Sequence, residues 1–151
     1  MEIRDAHLDD ADTLSDIAFV SKALWGYSDD FMRACRKELQ VLPADIKSAS
    51  AIYRVCEVQG VAIGFYALDH IAEDTADLDA LFVHPDHVQR GIGKRLMQDA
   101  IDVARERGYS RLVIQSDPNA ERFYLACGAV RVGQKESDSI AGRFLPLLEM
   151  D

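Results

Sequence analysis

Two stretches decide the fold: Leu78-Asp79-Ala80-Leu81-Phe82-Val83-His84-Pro85, and shortly after it Gln89-Arg90-Gly91-Ile92-Gly93-Lys94. The first closes a strand predicted over 75–83, because proline cannot donate to a β-ladder. The second opens a helix predicted over about 91–107, whose apolar positions Ile92, Leu96, Ala100 and Val103 share one stripe and whose end is marked by Gly108. A strand that re-enters a helix through such a loop presents successive backbone N–H groups at a helix N-terminus. That arrangement is an anion site. Two glycines let the chain come close to a phosphate, and Arg90 and Lys94 supply positive charge at the rim.

Working outward, 51–58 and 61–68 are rich in β-branched and aromatic residues and are separated by Gln59-Gly60, a hairpin signal. Upstream, 1–7 reads as a short strand, and Asp9 or Asp10 is placed to cap a helix carrying Leu14, Ile17 and Ala18. Ser28 is the predicted N-cap of a second helix running to about Leu39, with Asp29 and Asp30 in the first turn, where the dipole favours acids. A helical turn or variable connection begins at Pro43. Downstream come a strand over 111–115, a helix over 120–127 closed by Gly128, and two last strands over 130–135 and 144–149. This order predicts an α/β (α+β) fold, a mixed sheet with helices on both faces. A length of 151 residues, 48% hydrophobic, suits one sizeable core, so a single domain over 1–151 is expected.

Composition excludes several functions. Seventeen basic against twenty-six acidic residues give a formal charge of -9, which repels a phosphate backbone and argues against nucleic acid. An acidic surface favours cationic ligands instead. Cys35, Cys56 and Cys127 are odd in number and far apart, which indicates neither a disulfide framework nor a zinc cage. His84 and His87 lack further ligands at metal spacing, so no metal is expected. No apolar run reaches the ~18 residues of a membrane span, and the N-terminus lacks a leader-like apolar segment, so a cytoplasmic protein without membrane contact is expected.

The strand end, the loop to Gly93 and the helix through Met97 together resemble motif A of the GNAT superfamily of N-acetyltransferases. Asn119-Ala120-Glu121-Arg122-Phe123-Tyr124, followed by Cys127-Gly128-Ala129, is similar to that family's motif B, at the expected distance. The resemblance covers essentially the whole chain, the N-terminal half by architecture alone. One position departs from the pattern: three residues before the first glycine the family carries Gln or Arg, and this chain has Val88. Because the family holds the pyrophosphate mainly with backbone amides, the chemistry does not depend on that side chain.

The resemblance implies transfer of the acetyl group of acetyl-CoA to a primary amine of a small molecule or peptide by direct attack. It implies a mostly antiparallel sheet with two splayed parallel strands, here 75–83 and 111–115, holding the coenzyme between them. Backbone groups of Leu81, Phe82 and Val83 would pair with the pantetheine arm, one N–H polarising the thioester carbonyl. Gln89, Arg90, Gly91, Ile92, Gly93 and Lys94 would hold the pyrophosphate. Asn119 would contact the pantetheine, cap the helix that begins at Ala120, or do both. Tyr124 would hydrogen-bond the departing sulfur, since a phenol near ~10 is a weaker acid than a thiol near ~8.5 and full proton transfer is uphill. The competing expectation is a catalytically silent module of the same fold that senses acetyl-CoA or mediates a protein contact; a homodimer is compatible with either.

A lysine-like amine at pKa ~10.4 costs about 4–5 kcal/mol to deprotonate at pH 7, which calls for a general base. Asp79 is the first candidate, ahead of Asp77, Glu73 and His84; strand alternation places Asp77 and Asp79 on the face opposite Leu78 and Ala80. Trp25 and Tyr27, in the turn between the first two helices, are candidates to bind the acceptor or to staple the helices together. Arg143, on a polar loop before the last strand, is a candidate for an acceptor carboxylate.

Overall fold

Each change of hydrophobic period along the chain becomes an element boundary in the computed structural model, which describes residues 1–151 apart from the side chains of Gln89 and Arg90. The chain runs β1 (Glu2–Asp5), α1 (Ala11–Ala23), α2 (Asp29–Leu39), the single turn α3 (Pro43–Lys47), then β2 (Ala51–Val58), β3 (Val61–Ala72) and β4 (Thr75–Val83). It continues with α4 (Ile92–Glu106), β5 (Arg111–Gln115), α5 (Glu121–Ala126), β6 (Val130–Glu136) and β7 (Phe144–Met150). Seven strands form one sheet in the order β1-β2-β3-β4-β5-β7-β6, antiparallel throughout except for the β4–β5 pair.

The sheet is covered on both faces because its helices are amphipathic in opposite senses. Leu14, Ile17 and Ala18 of α1 and Met32, Cys35 and Leu39 of α2 pack with Val55 and Phe65 on one face. Ile92, Leu96, Met97, Ala100 and Ala104 of α4 pack on the other, with Tyr66, Leu78, Leu112 and Tyr124. Fully burying each of the larger apolar side chains contributes about 1.5–3 kcal/mol, so α4 is clamped to β3 and β4 and its N-terminus has a fixed position. Arg54 of β2 and Tyr66 of β3 both bind Asp99 of α4, at 3.0 and 2.6 Å, and fix its rotation.

Two caps differ from the sequence-based expectation. Ser28 caps α2 as expected, accepting from the Phe31 N–H at 3.1 Å. Asp10 precedes α1 but makes no side-chain cap; its carboxylate binds Arg4 at 2.8 Å and the His7 N–H at 2.7 Å. A charge-assisted pair outweighs a neutral cap bond. Asn119 does not cap α5 either. Ala120 occupies the N-cap position, after a 3-10 turn (Pro118–Ala120) that Asp117 caps.

Candidate active site

The parallel register between β4 and β5 lasts three residue pairs, Thr75↔Arg111, Ala76↔Leu112 and Asp77↔Val113. Beyond Asp77 the two strands part, and the edge of β4 that faces β5 has no strand partner. A cavity of about 370 Å³ opens there, lined by residues 78–82 of β4, by 115–117 at the end of β5 and just beyond it, and by Tyr124.

Strand alternation does not survive this segment. Ala67 of β3 pairs with Ala80 and Leu68 with Leu78, so Asp79 is an extra residue on β4. Leu78 packs with the α4 core, whereas Ala80 joins Phe82 against the α1–α2 core. Leu78 and Ala80 therefore do not share a face, as alternation had required. Asp77 and Asp79 both line the cavity.

α4 begins at Gly91, whose φ of 71° is left-handed. At Gly93 a side chain would meet the Phe123 ring at 3.2 Å, so this glycine serves the contact between α4 and α5. The helix has no acidic residue in its first turn, while α1, α2, α3 and α5 each have at least one. The positive end of the α4 dipole therefore meets no acid from its own first turn, and Lys94 stands beside it. The side chains of Gln89 and Arg90, both predicted to contribute here, lie outside the described residues; their backbone belongs to the 3-10 turn Pro85–Arg90. The His84 ring caps that turn, accepting from the Asp86 N–H at 3.2 Å.

Tyr124 lines the cavity as a buried residue, 7% exposed, and its hydroxyl forms no hydrogen bond with a described residue. Burial pushes the phenol well above its ordinary range, so it stays protonated and available as a donor.

The lining of the cavity is acidic. Glu38, Asp45, Asp77, Asp79 and Asp138 line it together with Lys22, Trp25 and Tyr53. A second cavity of about 190 Å³ shares Asp45, Tyr53 and Asp79 and adds Asp69. No described lysine or arginine forms an ion pair with Asp45, Asp69, Asp77 or Asp79. Burial, then repulsion from Asp79 and Asp69, raises the Asp77 carboxyl to about 6. Burial and the charges of Asp69, Glu38 and Asp45 also raise Asp79.

Tyr27, Asn119 and Arg143, predicted separately, come together at one point. The Tyr27 phenol lies 2.9 Å from Asp117 Oδ2, 2.9 Å from Asn119 Nδ2 and 2.8 Å from Arg143 Nη2. Its ring stacks on Phe31 at 4.1 Å and carries the Arg143 guanidinium 5.3 Å from its centroid. Trp25 lines the cavity, but Tyr27 and Arg143 are not among its lining residues, and the Arg143 charge is met by Asp117 at 3.5 Å. Sequence reasoning missed Lys22, Phe31 and Asp117. The Asp-Pro step after β5 is a turn signal that could have marked Asp117 as a cap, though not as a partner of Tyr27 and Lys22.

Over residues 17–129 the chain matches the Acetyltransferase (GNAT) family. It belongs to that family. This GNAT enzyme is 32% identical over 124 residues to the peptidyl-lysine N-acetyltransferase YjaB of Salmonella typhimurium, covering 80% of this chain and 79% of that one. It is 28% identical over 151 residues to the uncharacterized N-acetyltransferase MJ1207 of Methanocaldococcus jannaschii, covering 93% of this chain and 63% of the relative's length. Its fold is shared with PaiA N-acetyltransferase from Thermoplasma acidophilum, solved with coenzyme A, at a TM-score of 0.74 and 21% identity over 98% of this chain and 96% of that one. As a GNAT N-acetyltransferase it moves an acetyl group from acetyl-CoA to an amine. The parted strands, the acid-free α4 N-terminus and the undonated Tyr124 hydroxyl suit an extended, phosphate-bearing thioester. No group of three or more metal-binding side chains occurs among the described residues, and no described helix is long and apolar enough to cross a membrane.

Proposed function

We propose that the acceptor is an alkylammonium of the lysine type, presented by a peptide, and that it enters the cavity along its acidic lining. The observation that carries this reading is the set of carboxylates in that lining, Asp77 and Asp79 foremost, with no described cation paired to them. Such a wall attracts an ammonium and repels acidic acceptors. The name of the Salmonella relative, a peptidyl-lysine N-acetyltransferase, supports the same class.

Acetyl-CoA supplies an acetyl group activated as a thioester. The free edge of β4 at Leu81, Phe82 and Val83 offers backbone groups to the pantetheine arm, and one N–H there stabilises the charge that develops on the carbonyl oxygen. The amides of residues 89–94 take the pyrophosphate at the N-terminus of α4, and Asn119 holds the arm from the β5 side. Asp79, with Asp77 beside it, takes the proton that the ammonium must lose. Raising the Asp77 carboxyl to about 6 brings its proton affinity up to about 2 kcal/mol closer to that of a lysine amine, allowing for solvent in the cavity. Tyr124 hydrogen-bonds the sulfur as it leaves.

Thiol release from acetyl-CoA tests the reading against a panel of lysine peptides, the same peptides with norleucine for lysine, and acidic amino acids. Turnover with the lysine peptides should exceed that with the others at least tenfold, and Asp79→Asn should abolish most of it. Equal turnover of acidic acceptors would overturn the assignment.

A further inference from the structure

We propose that Asp117 is a positioning residue for the acceptor side of the site, holding the turn between α1 and α2 and the loop before β7 against the end of β5 through the Tyr27 phenol and the Asn119 amide. The inference rests on the reading in which Asn119 meets the coenzyme and the α1–α2 side receives the amine.

The phenol's bonding capacity is filled. A tyrosine hydroxyl has one proton to give and two lone pairs. Tyr27 gives its proton to Asp117, 2.9 and 3.0 Å from the two carboxylate oxygens, and accepts from Asn119 Nδ2 at 2.9 Å and Arg143 Nη2 at 2.8 Å. The orientation of the Asn119 amide follows from its partner, because a carboxylate only accepts. The amide nitrogen must face Asp117, which it meets at 2.9 Å, and its second proton goes to Tyr27. The Asn119 backbone N–H adds a bond to Asp117 at 2.8 Å. Asn119 Oδ1 has no hydrogen bond to a described residue, which leaves it to accept from an amide of the pantetheine arm while the nitrogen holds Tyr27.

Charge makes Asp117 the centre of the cluster. Lys22 Nζ and Arg143 Nη2 each lie 3.5 Å from its Oδ2, and the three side chains are 12–18% exposed. Burial alone would raise this carboxyl, but the Asn119 N–H, the Tyr27 phenol and Lys22 together hold it below the usual carboxylate range. It is an anion throughout the working pH range. Neutralising it leaves two largely buried cations without the anion they share, and they repel. Acceptor geometry is thereby tied to the cofactor strand by a residue that does not itself react.

The test uses the full chain with Asp117→Asn, Tyr27→Phe and the double variant. Asp117→Asn should raise the Michaelis constant for the lysine peptide about 10–100-fold, raise that for acetyl-CoA by a clearly smaller factor through Asn119, and speed amide hydrogen exchange across residues 24–31. Tyr27→Phe should act in the same direction with a smaller amplitude, and the double variant should be no worse than Asp117→Asn, because both remove one linkage. Tyr27→Phe carries the prediction alone should Asp117→Asn fail to fold. An unchanged peptide Michaelis constant with unchanged exchange overturns the proposal, as does an equal rise for acetyl-CoA. Faster exchange in Asp117→Asn with no wild-type turnover of any ammonium would sink the acceptor reading and leave the tie standing.

Discussion

The two sides of the cleft are built by different means. The side that we propose holds the cofactor consists of β4, the N-terminus of α4 and Tyr124 on α5, whose positions follow from short runs of adjacent residues. The side proposed for the acceptor is assembled from the α1–α2 turn, the end of β5 and the loop before β7, joined by side-chain contacts such as Tyr27 to Asp117, 90 positions apart. The first presents backbone groups that the packing of α4 on the sheet holds in place. The second exists only while particular side chains meet.

The largest effect is expected on the cofactor side, at Tyr124. Tyr124→Phe should lower the turnover number about 10²–10⁴-fold, the usual contribution of a positioned acid, with little change in acetyl-CoA affinity or melting temperature. Steady-state kinetics decide this. A change in the peptide Michaelis constant at unaltered turnover would assign Tyr124 to the acceptor side and break the division.

A smaller but still large effect belongs to Gly91. Gly91→Glu places a carboxylate where the anion is to bind and should weaken acetyl-CoA binding at least about 100-fold, whereas Gly91→Asn, which tolerates the left-handed conformation, should retain most of it. Calorimetric titration of both variants separates charge from backbone strain. Equal affinities would remove the phosphates from this helix.

Asp77 stands where the two sides join, and its effect is on stability. Its folded carboxyl, at about 6, lies above the ordinary value of 3.8, so between those pH values the folded protein binds more protons than the unfolded chain. The associated stability is fully present below pH ~4 and is lost as pH rises through ~6. Asp77→Asn should therefore stabilise the protein by about 1–2 kcal/mol at pH 7.5, solvent screening included, and by nearly nothing at pH 4. Urea unfolding at the two pH values checks it.

The same division explains what could be read from the sequence. β4, α4 and the 119–124 stretch are legible because turn chemistry, helical period and glycine placement act over a few residues, and the mixed sheet followed from their order. The bulge at Asp79 was not legible, since nothing in Leu78-Asp79-Ala80-Leu81 marks where alternation slips; the slip is set by pairing with Ala67 and Leu68. Asp117 and Lys22 escaped for a related reason. A lysine in a helix and an aspartate before a proline are ordinary residues until the fold brings them within 3.5 Å. Tyr27 and Arg143 were found, but as separate ligands for an acceptor, because a one-dimensional reading cannot show that each occupies the other.

The short seam between β4 and β5 has a consequence for the protein among its neighbours. A strand edge with free amides is a template on which a second polypeptide can grow, and proteins usually blunt such edges with charge, proline or an overlying element. Here the free edge of β4 begins after three residue pairs and lies inside the cleft, at the middle of the sheet instead of its border. A chain that pairs with this edge has to enter the cleft between β4 and β5 and cannot simply extend the border of the sheet.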